Sequence, residues 1–215
     1  MALGMGIAQI IAKKIMSKEA HSGYRIEVAS GKHIHFASEI SRTMEESAQA
    51  RGTGIGKRPP ELLIRYMLEG KAVVAVTDDG RWAGFSYLAL WDNGKYVSNS
   101  GLIVALEFRE RGVAKKIKEK IFELSRKKYP GAIIVGITTS EAVMKMNTSL
   151  GFVPTTFSQL PTDGEFWNGC KGCVNHDVLE RSKGKYCLCT AMRFNPASII
   201  NEDVRQVAIL SEEFH

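Results

Sequence analysis

Apolar and polar residues alternate over Tyr24-Arg25-Ile26-Glu27-Val28-Ala29, the period of a half-buried strand. A helically spaced stretch follows from about His33 to Ala50. The next eight residues, Arg51-Gly52-Thr53-Gly54-Ile55-Gly56-Lys57-Arg58, are too rich in glycine to form a regular element. Pro59-Pro60 then opens a helix through Leu68, because the fixed φ of proline suits a first turn, and Gly70 closes it. Three strands come in quick succession: Ala72 to Thr77, Trp82 to Leu90 and Tyr96 to Ala105. The turns between them, Asp78-Asp79-Gly80 and Asp92-Asn93-Gly94, carry the chemistry of tight hairpins.

A strongly helical run extends from Val113 to Lys128 and stops before Pro130-Gly131. A buried-type strand (Ala132 to Ile137), a helix from about Glu141 to Leu150, a strand (Phe152 to Phe157) and a last strand (Tyr186 to Phe194) complete the pattern. The order predicts a mixed α/β fold in which an antiparallel meander leads into a βαβ unit. One domain is expected over residues 23–200, with a Cys-rich segment at 168–190, a helical extension at 1–22 and a tail at 201–215. In the extension, the apolar run Ile7 to Ala12 precedes Lys13 and Lys14, and no small-residue cleavage site is evident. An amphipathic helix packed on the body or on another subunit fits better than a secretory signal. A cytoplasmic protein, with a homodimer as one arrangement, is the corresponding expectation.

Composition narrows the function classes. No apolar run approaches the roughly 20 residues that span a bilayer, so no membrane partner is expected. The net charge is +6, from 29 Lys and Arg against 23 Asp and Glu. Its densest runs, Lys115-Lys116-Ile117-Lys118 and Arg126-Lys127-Lys128, lie on one helix and read as a solvated face. Nucleic acid is therefore not expected, and a small polyanionic ligand is a simpler use for the charge.

The central chemical signal is Arg109-x-x-Gly112-x-Ala114, directly after a strand and directly before a helix. Backbone N–H groups at a helix N-terminus are unpaired and carry partial positive charge. A pyrophosphate can accept from them where side chains leave room, and Gly112 and Ala114 are small enough to do so. The segment from about Ala72 to Phe157 resembles the GNAT superfamily of N-acetyltransferases, whose signature loop Arg/Gln-x-x-Gly-x-Gly/Ala is matched by Arg109, Gly112 and Ala114. The Leu150-Gly151-Phe152 ending of the second crossover helix is similar too. The resemblance implies two splayed parallel strands holding acetyl-CoA or another acyl-CoA. The pantetheine would bond to backbone around Leu102, Ile103 and Val104. The pyrophosphate would sit on Arg109, Glu110, Arg111, Gly112, Val113, Ala114 and Lys115.

Ile137-Thr138-Thr139, Gly151-Phe152-x-Pro154 and Leu160-Pro161 are similar in order and spacing to the acetyltransferase domain of N-acetylglutamate synthases. They also resemble short acyltransferases encoded with arginine-biosynthesis enzymes in Bacteroidetes. That implies a small-molecule amine, the α-amine of glutamate, acylated by an acetyl or succinyl donor. Acylation of a protein N-terminus, a polyamine or another small amine is the alternative in the same fold. Many relatives place a tyrosine four residues before the Gly of Gly-Phe, where it protonates the departing thiolate; this chain has Asn147.

An amine must be neutral to attack a thioester, so a carboxylate or a water chain is expected beside it. Glu107 is near the cofactor strand, and Ser98, Asn99 and Ser100 interrupt an otherwise apolar strand. Cationic anchors for an amino dicarboxylate would come from Arg51, Lys57, Arg58, Arg181 and Lys183. Cys170-x-x-Cys173 and Cys187-x-Cys189 are separated by 13 intervening residues. They read as four zinc ligands, as packed free thiols, or as a redox pair. Zinc without an acyl-CoA site would make the chain an interaction module and not an enzyme.

Overall fold

The computed structural model describes residues 23–52 and 58–198. The expected N-terminal helix, Lys57 and the C-terminal tail lie outside the described residues. Seven strands form one sheet in the order β1-β2-β3-β4-β5-β7-β6. β1 (Tyr24–Val28), β2 (Ala72–Thr77), β3 (Trp82–Trp91) and β4 (Tyr96–Val104) make the antiparallel meander. β5 (Ile133–Thr138) lies parallel to β4, and β7 (Thr190–Phe194) separates it from the short β6 (Val153–Thr155). β2 reads Ala-Val-Val-Ala-Val-Thr and is buried along its whole length, as a central strand covered on both faces should be.

Alternation along β3 shows which helix covers which face. A Cβ at Gly84 would lie 2.6 Å from Ile117 Cδ1, so that side meets helix α3 (Val113–Lys128). Tyr87 points the other way and stacks on Tyr66 of α2 (Pro60–Leu68) with ring centroids 4.4 Å apart. α1 (Ala37–Ala50) shares this second face and buries Ile40, Met44 and Ser47. α3 presents Val113, Ile117, Ile121 and Leu124 to the meander, the spacing of one helical stripe. α4 (Glu141–Ser149) packs over β5 and β7. Phe122 of α3 packs with Phe152 and Phe194 at 5.8 and 4.9 Å between ring centroids.

Three boundaries depart from the sequence pattern. A 3-10 turn over Gly31–Phe36 precedes α1. The strand expected over 152–157 is reduced to Val153–Thr155. The last strand starts at Thr190 instead of Tyr186. In that stretch Lys183 and Gly184 adopt φ of 51° and 74°. Ser182 Oγ donates to Tyr186 O at 2.8 Å and accepts from Tyr186 N at 3.3 Å. Local bonds thus occupy the polar groups that a strand would need. The same segment contains two short helices that the periodicity does not reveal, α5 (Gly164–Asn168) and α6 (His176–Arg181).

Candidate acyl-CoA site

α3 starts at Gly112, whose φ of 78° is left-handed. A Cβ placed there would meet nothing within 4 Å, so conformation and open approach, not packing, require glycine. No side chain caps this helix and no acid lies in its first turn. Lys115 and Lys116 occupy that turn instead, an arrangement that opposes the helix dipole until an anion is seated there. Residues 109–112 are exposed, Glu110 is also left-handed at φ 61°, and Tyr24 Oη donates to Arg111 O at 3.3 Å. Arg109 acts as a brace. Its Nε donates to Val104 O at 3.2 Å and its Nη2 to Ser47 Oγ at 3.1 Å. The loop therefore presents backbone amides and surrounding lysines, with the Arg109 side chain tied to β4 and α1.

β4 leads directly to this loop, and its outer edge is open. Pairing with β5 covers only Tyr96↔Ile133, Val97↔Ile134 and Ser98↔Val135, although β4 continues to Val104. Leu102, Ile103 and Val104 thus lie where β4 has no β5 partner, in agreement with the splayed pair expected. On its other side β4 stays paired with β3, interrupted by a register shift between Phe85 and Tyr87. The bulge lies at Gly101, with φ 65°, and a Cβ there would lie 2.6 Å from Tyr87 Cε1. Both the backbone conformation and the ring exclude a larger residue.

The polar interruption in β4 divides between two faces. Ser98 and Ser100 share one: Trp91 Nε1 donates to Ser98 Oγ at 2.8 Å, and Ser100 Oγ donates to Ser98 Oγ at 3.0 Å. Asn99 faces α3, where Ser125 Oγ lies 3.0 Å from its Oδ1, while its Nδ2 is buried with no partner among the described residues. Asn147 on α4 is 1% exposed and crosses over β5 and β7, its Nδ2 lying 3.6 Å from Met192 Sδ. Its Oδ1 is buried and unpartnered among the described residues. Glu107 is exposed and lies 4.0 Å from Arg81, as a surface residue does.

The cationic candidates separate as well. Arg58 is half-buried, with its guanidinium 6.0 Å from the Tyr87 ring centroid and 3.9 Å from a Cβ built on Gly169. It sits near the bulge, because Tyr87 pairs with Ser100. Burial raises the Tyr87 phenol above its ordinary pKa, and Arg58 opposes that shift. Arg51 is exposed, and its Nη1 donates to Ser47 Oγ at 2.8 Å, the same hydroxyl that Arg109 engages. Arg181 is tied to Asp177 at 3.1 Å on the exposed side of α6. Lys183 lines a separate open groove with Trp167, His176 and Glu180. Tyr87, Tyr66 and Ser47 did not emerge from sequence reading, since each is an ordinary member of a strand or helix pattern.

The four cysteines do not lie on a strand. Cys170, Cys187 and Cys189 pack against the cluster of Phe157, Leu160 and Leu179, on the face of the sheet that Trp91 and Phe166 share. Cys173 Sγ accepts from Asn175 N at 3.4 Å, and Cys187 Sγ donates to Asn175 O at 3.7 Å. Burial, with the other thiols nearby, raises the pKa of Cys170 and pushes Cys189 up to about 12. Among the described residues, no group of three or more His, Cys, Asp or Glu side chains is arranged to hold a metal ion. The zinc expectation is therefore not supported. Among the described residues no helix is long and apolar enough to cross a membrane.

No protein-family model matches the chain and no curated protein matches it. Solved structures do. The N-acetylglutamate synthase of Neisseria gonorrhoeae, complexed with coenzyme A and N-acetyl-glutamate, is similar at TM-score 0.55 and 16% identity. The match covers 81% of this chain and 35% of that one, so the chain spans about a third of the synthase. Rv2747 from Mycobacterium tuberculosis, in complex with CoA and NLQ, gives TM-score 0.56 and 15% identity, covering 80% of this chain and 98% of that one. YncA from Salmonella typhimurium, with its cofactor acetyl-CoA, gives 0.54 and 14%, covering 81% and 95%. The fold is that of the GNAT acetyltransferases.

Proposed function

We propose that this protein is an N-acyltransferase that moves an acyl group from acyl-CoA directly to the amine of a small amino acid, glutamate foremost. One observation carries the reading. The edge of β4 opens after Ser98 and runs into the uncapped N-terminus of α3 at Gly112. An extended arm can lie along such an edge by strand-like bonds, while its diphosphate rests on the bare amides. The three solved structures above, which hold CoA, acetyl-CoA or N-acetyl-glutamate, support this assignment.

Acyl-CoA supplies an activated thioester and leaves as the free thiol. The bulge at Gly101 takes an amide out of the ladder. Such an amide is the donor that an acyl oxygen needs as charge develops on it. The bonded row Trp91–Ser98–Ser100 lines the same stretch of β4 and offers hydroxyls that can order water to relay the amine's proton. Arg58, held over Tyr87 beside the bulge, is the anchor for an acceptor carboxylate. Arg51, sharing Ser47 with Arg109, is a second cation at the rim. On this reading the protein acts in the cytoplasm, in arginine biosynthesis, with an acetyl or succinyl donor.

The test is thiol release from acetyl-CoA and succinyl-CoA against a panel of amino acids, peptides and polyamines. Glutamate should give the highest kcat/KM. Arg58→Ala should raise the KM for the amine on the order of tenfold or more while leaving the KM for acyl-CoA unchanged, the loss expected for a charged hydrogen-bond partner. Turnover with peptides but not glutamate overturns the acceptor assignment, and no thiol release with any amine overturns the enzyme assignment.

A further inference from the structure

Lys118 sits on α3 one helical turn before Phe122, on the flank that meets Phe152 at the foot of α4. It is 3% exposed. Its Nζ lies 5.5 Å from the centroid of the Phe152 ring, and no carboxylate or hydrogen-bond acceptor among the described residues reaches it. Burial alone perturbs its titration, with no neighbouring charge contributing. A lysine enclosed in this way has lost most of its hydration and regained the face of one ring. Such a group is costly unless a partner beyond the described residues completes it.

A second deficit belongs to a residue that bonds Phe152 through the backbone. Asn147 O accepts from Phe152 N at 3.1 Å, and the side-chain Oδ1 of Asn147 is buried without a donor. A donor on α3 and an acceptor on α4 thus adjoin Phe152, and Asn147 Nδ2 lies 3.6 Å from where a Cβ on Gly136 would be, the β5 residue next after the last β4–β5 pair. An amide carries both complements, a carbonyl oxygen to accept and an N–H to give. The arm of coenzyme A is built of amides.

We infer that Lys118 is a binding residue for the amide-bearing arm of acyl-CoA, its ammonium donating to a carbonyl oxygen of the arm opposite Asn147. This rests on the acyl-CoA reading above and adds a contact that the loop at Gly112 does not provide. A wholly structural lysine would act differently: its removal would weaken the fold and leave ligand affinity alone.

The experiment is calorimetric titration of the full chain with coenzyme A and, separately, with adenosine 3′,5′-bisphosphate, which lacks the arm, alongside thermal unfolding without ligand. Lys118→Met keeps length and removes charge. It should raise Tm by about 4 °C or more, because an unpaired buried cation is gone. It should weaken coenzyme A binding about tenfold or more, and leave the bisphosphate unaffected. Lys118→Gln, which can still donate, should recover part of the affinity. Unchanged coenzyme A affinity in Lys118→Met overturns the inference, as does a lowered Tm. An equal loss for both ligands also overturns it, by moving the contact to the phosphates. A wild-type chain that binds neither ligand instead removes the acyl-CoA reading on which the inference stands.

Discussion

The start of α3 and the cysteine segment of residues 170–189 both announce themselves in the sequence, one by Arg-x-x-Gly-x-Ala and the other by paired thiols. In the structure they behave differently. At Gly112 the chemistry resides in the backbone of one short stretch, and the stretch adopts it: left-handed φ, no side-chain cap, lysines in place of acids. In the cysteine segment, function would need four side chains from two turns to converge on one point. The four thiols do come near enough for the other three to help raise the pKa of Cys189, but three of them pack against Phe157, Leu160 and Leu179, and no metal geometry forms among the described residues. Backbone chemistry is local and survives from sequence to fold, whereas convergent side-chain chemistry depends on how distant pieces dock.

The largest expected effect would break this contrast at its first term. Gly112→Glu forces a side chain into the left-handed region and places a carboxylate where a diphosphate should sit. Coenzyme A affinity should fall on the order of 100-fold or more, some 3 kcal/mol, in a calorimetric titration. Unchanged affinity would remove the anion seat from this helix.

A second effect sharpens the contrast from within α3. Burial lowers the pKa of Lys118 from 10.5 to about 8. The folded state thus binds this proton less tightly than the unfolded chain does. Below pH 8 both states are protonated and the full cost of the buried charge is present. As pH rises from 8 to 10.5 the folded state releases the proton first, so stability increases. The increase attributable to Lys118 should be about 3 kcal/mol, since each pKa unit is worth about 1.4 kcal/mol. Chemical denaturation of wild type and Lys118→Met across this range isolates it, and parallel pH profiles would show that the lysine titrates alike in the folded and unfolded chain, its charge unperturbed by burial.

The smallest effects belong to the cysteine segment. Cys189, its pKa raised to about 12 chiefly by burial, should be unreactive as a thiol at pH 8. Its alkylation in native protein should lag that in unfolded protein. Cys189→Ala should cost roughly 2 kcal/mol or less and leave coenzyme A affinity unchanged. Rapid labelling, or a loss of coenzyme A binding, would bring the segment into the site after all.

Much of the frame is legible from residue order. β2 reads as an uninterrupted apolar run, and α3 carries its stripe at Val113, Ile117, Ile121 and Leu124. The Asp-Gly and Asn-Gly turns close the meander as their φ preferences demand. The opening between β4 and β5 was available only through resemblance, because the strands' own residues do not say where pairing ends. Lys118 left a faint trace: it stands four residues before Phe122 and seven before Ser125, a second stripe that meets α4. Read on its own it looks like one more solvated lysine in a basic run.

By itself the sequence determined the elements whose stability is local: strand and helix periods, turns, and the glycine that leaves amides bare at the head of α3. Only the tertiary structure decided that β4 parts from β5 after Ser98, that Arg58 meets Tyr87 above the bulge, and that Lys118 is enclosed beside Phe152. The physical reason is range. Dihedral preferences and periodicity act over a few residues, whereas the burial of a charge, or the absence of its partner, is set by segments that meet only when the chain has folded.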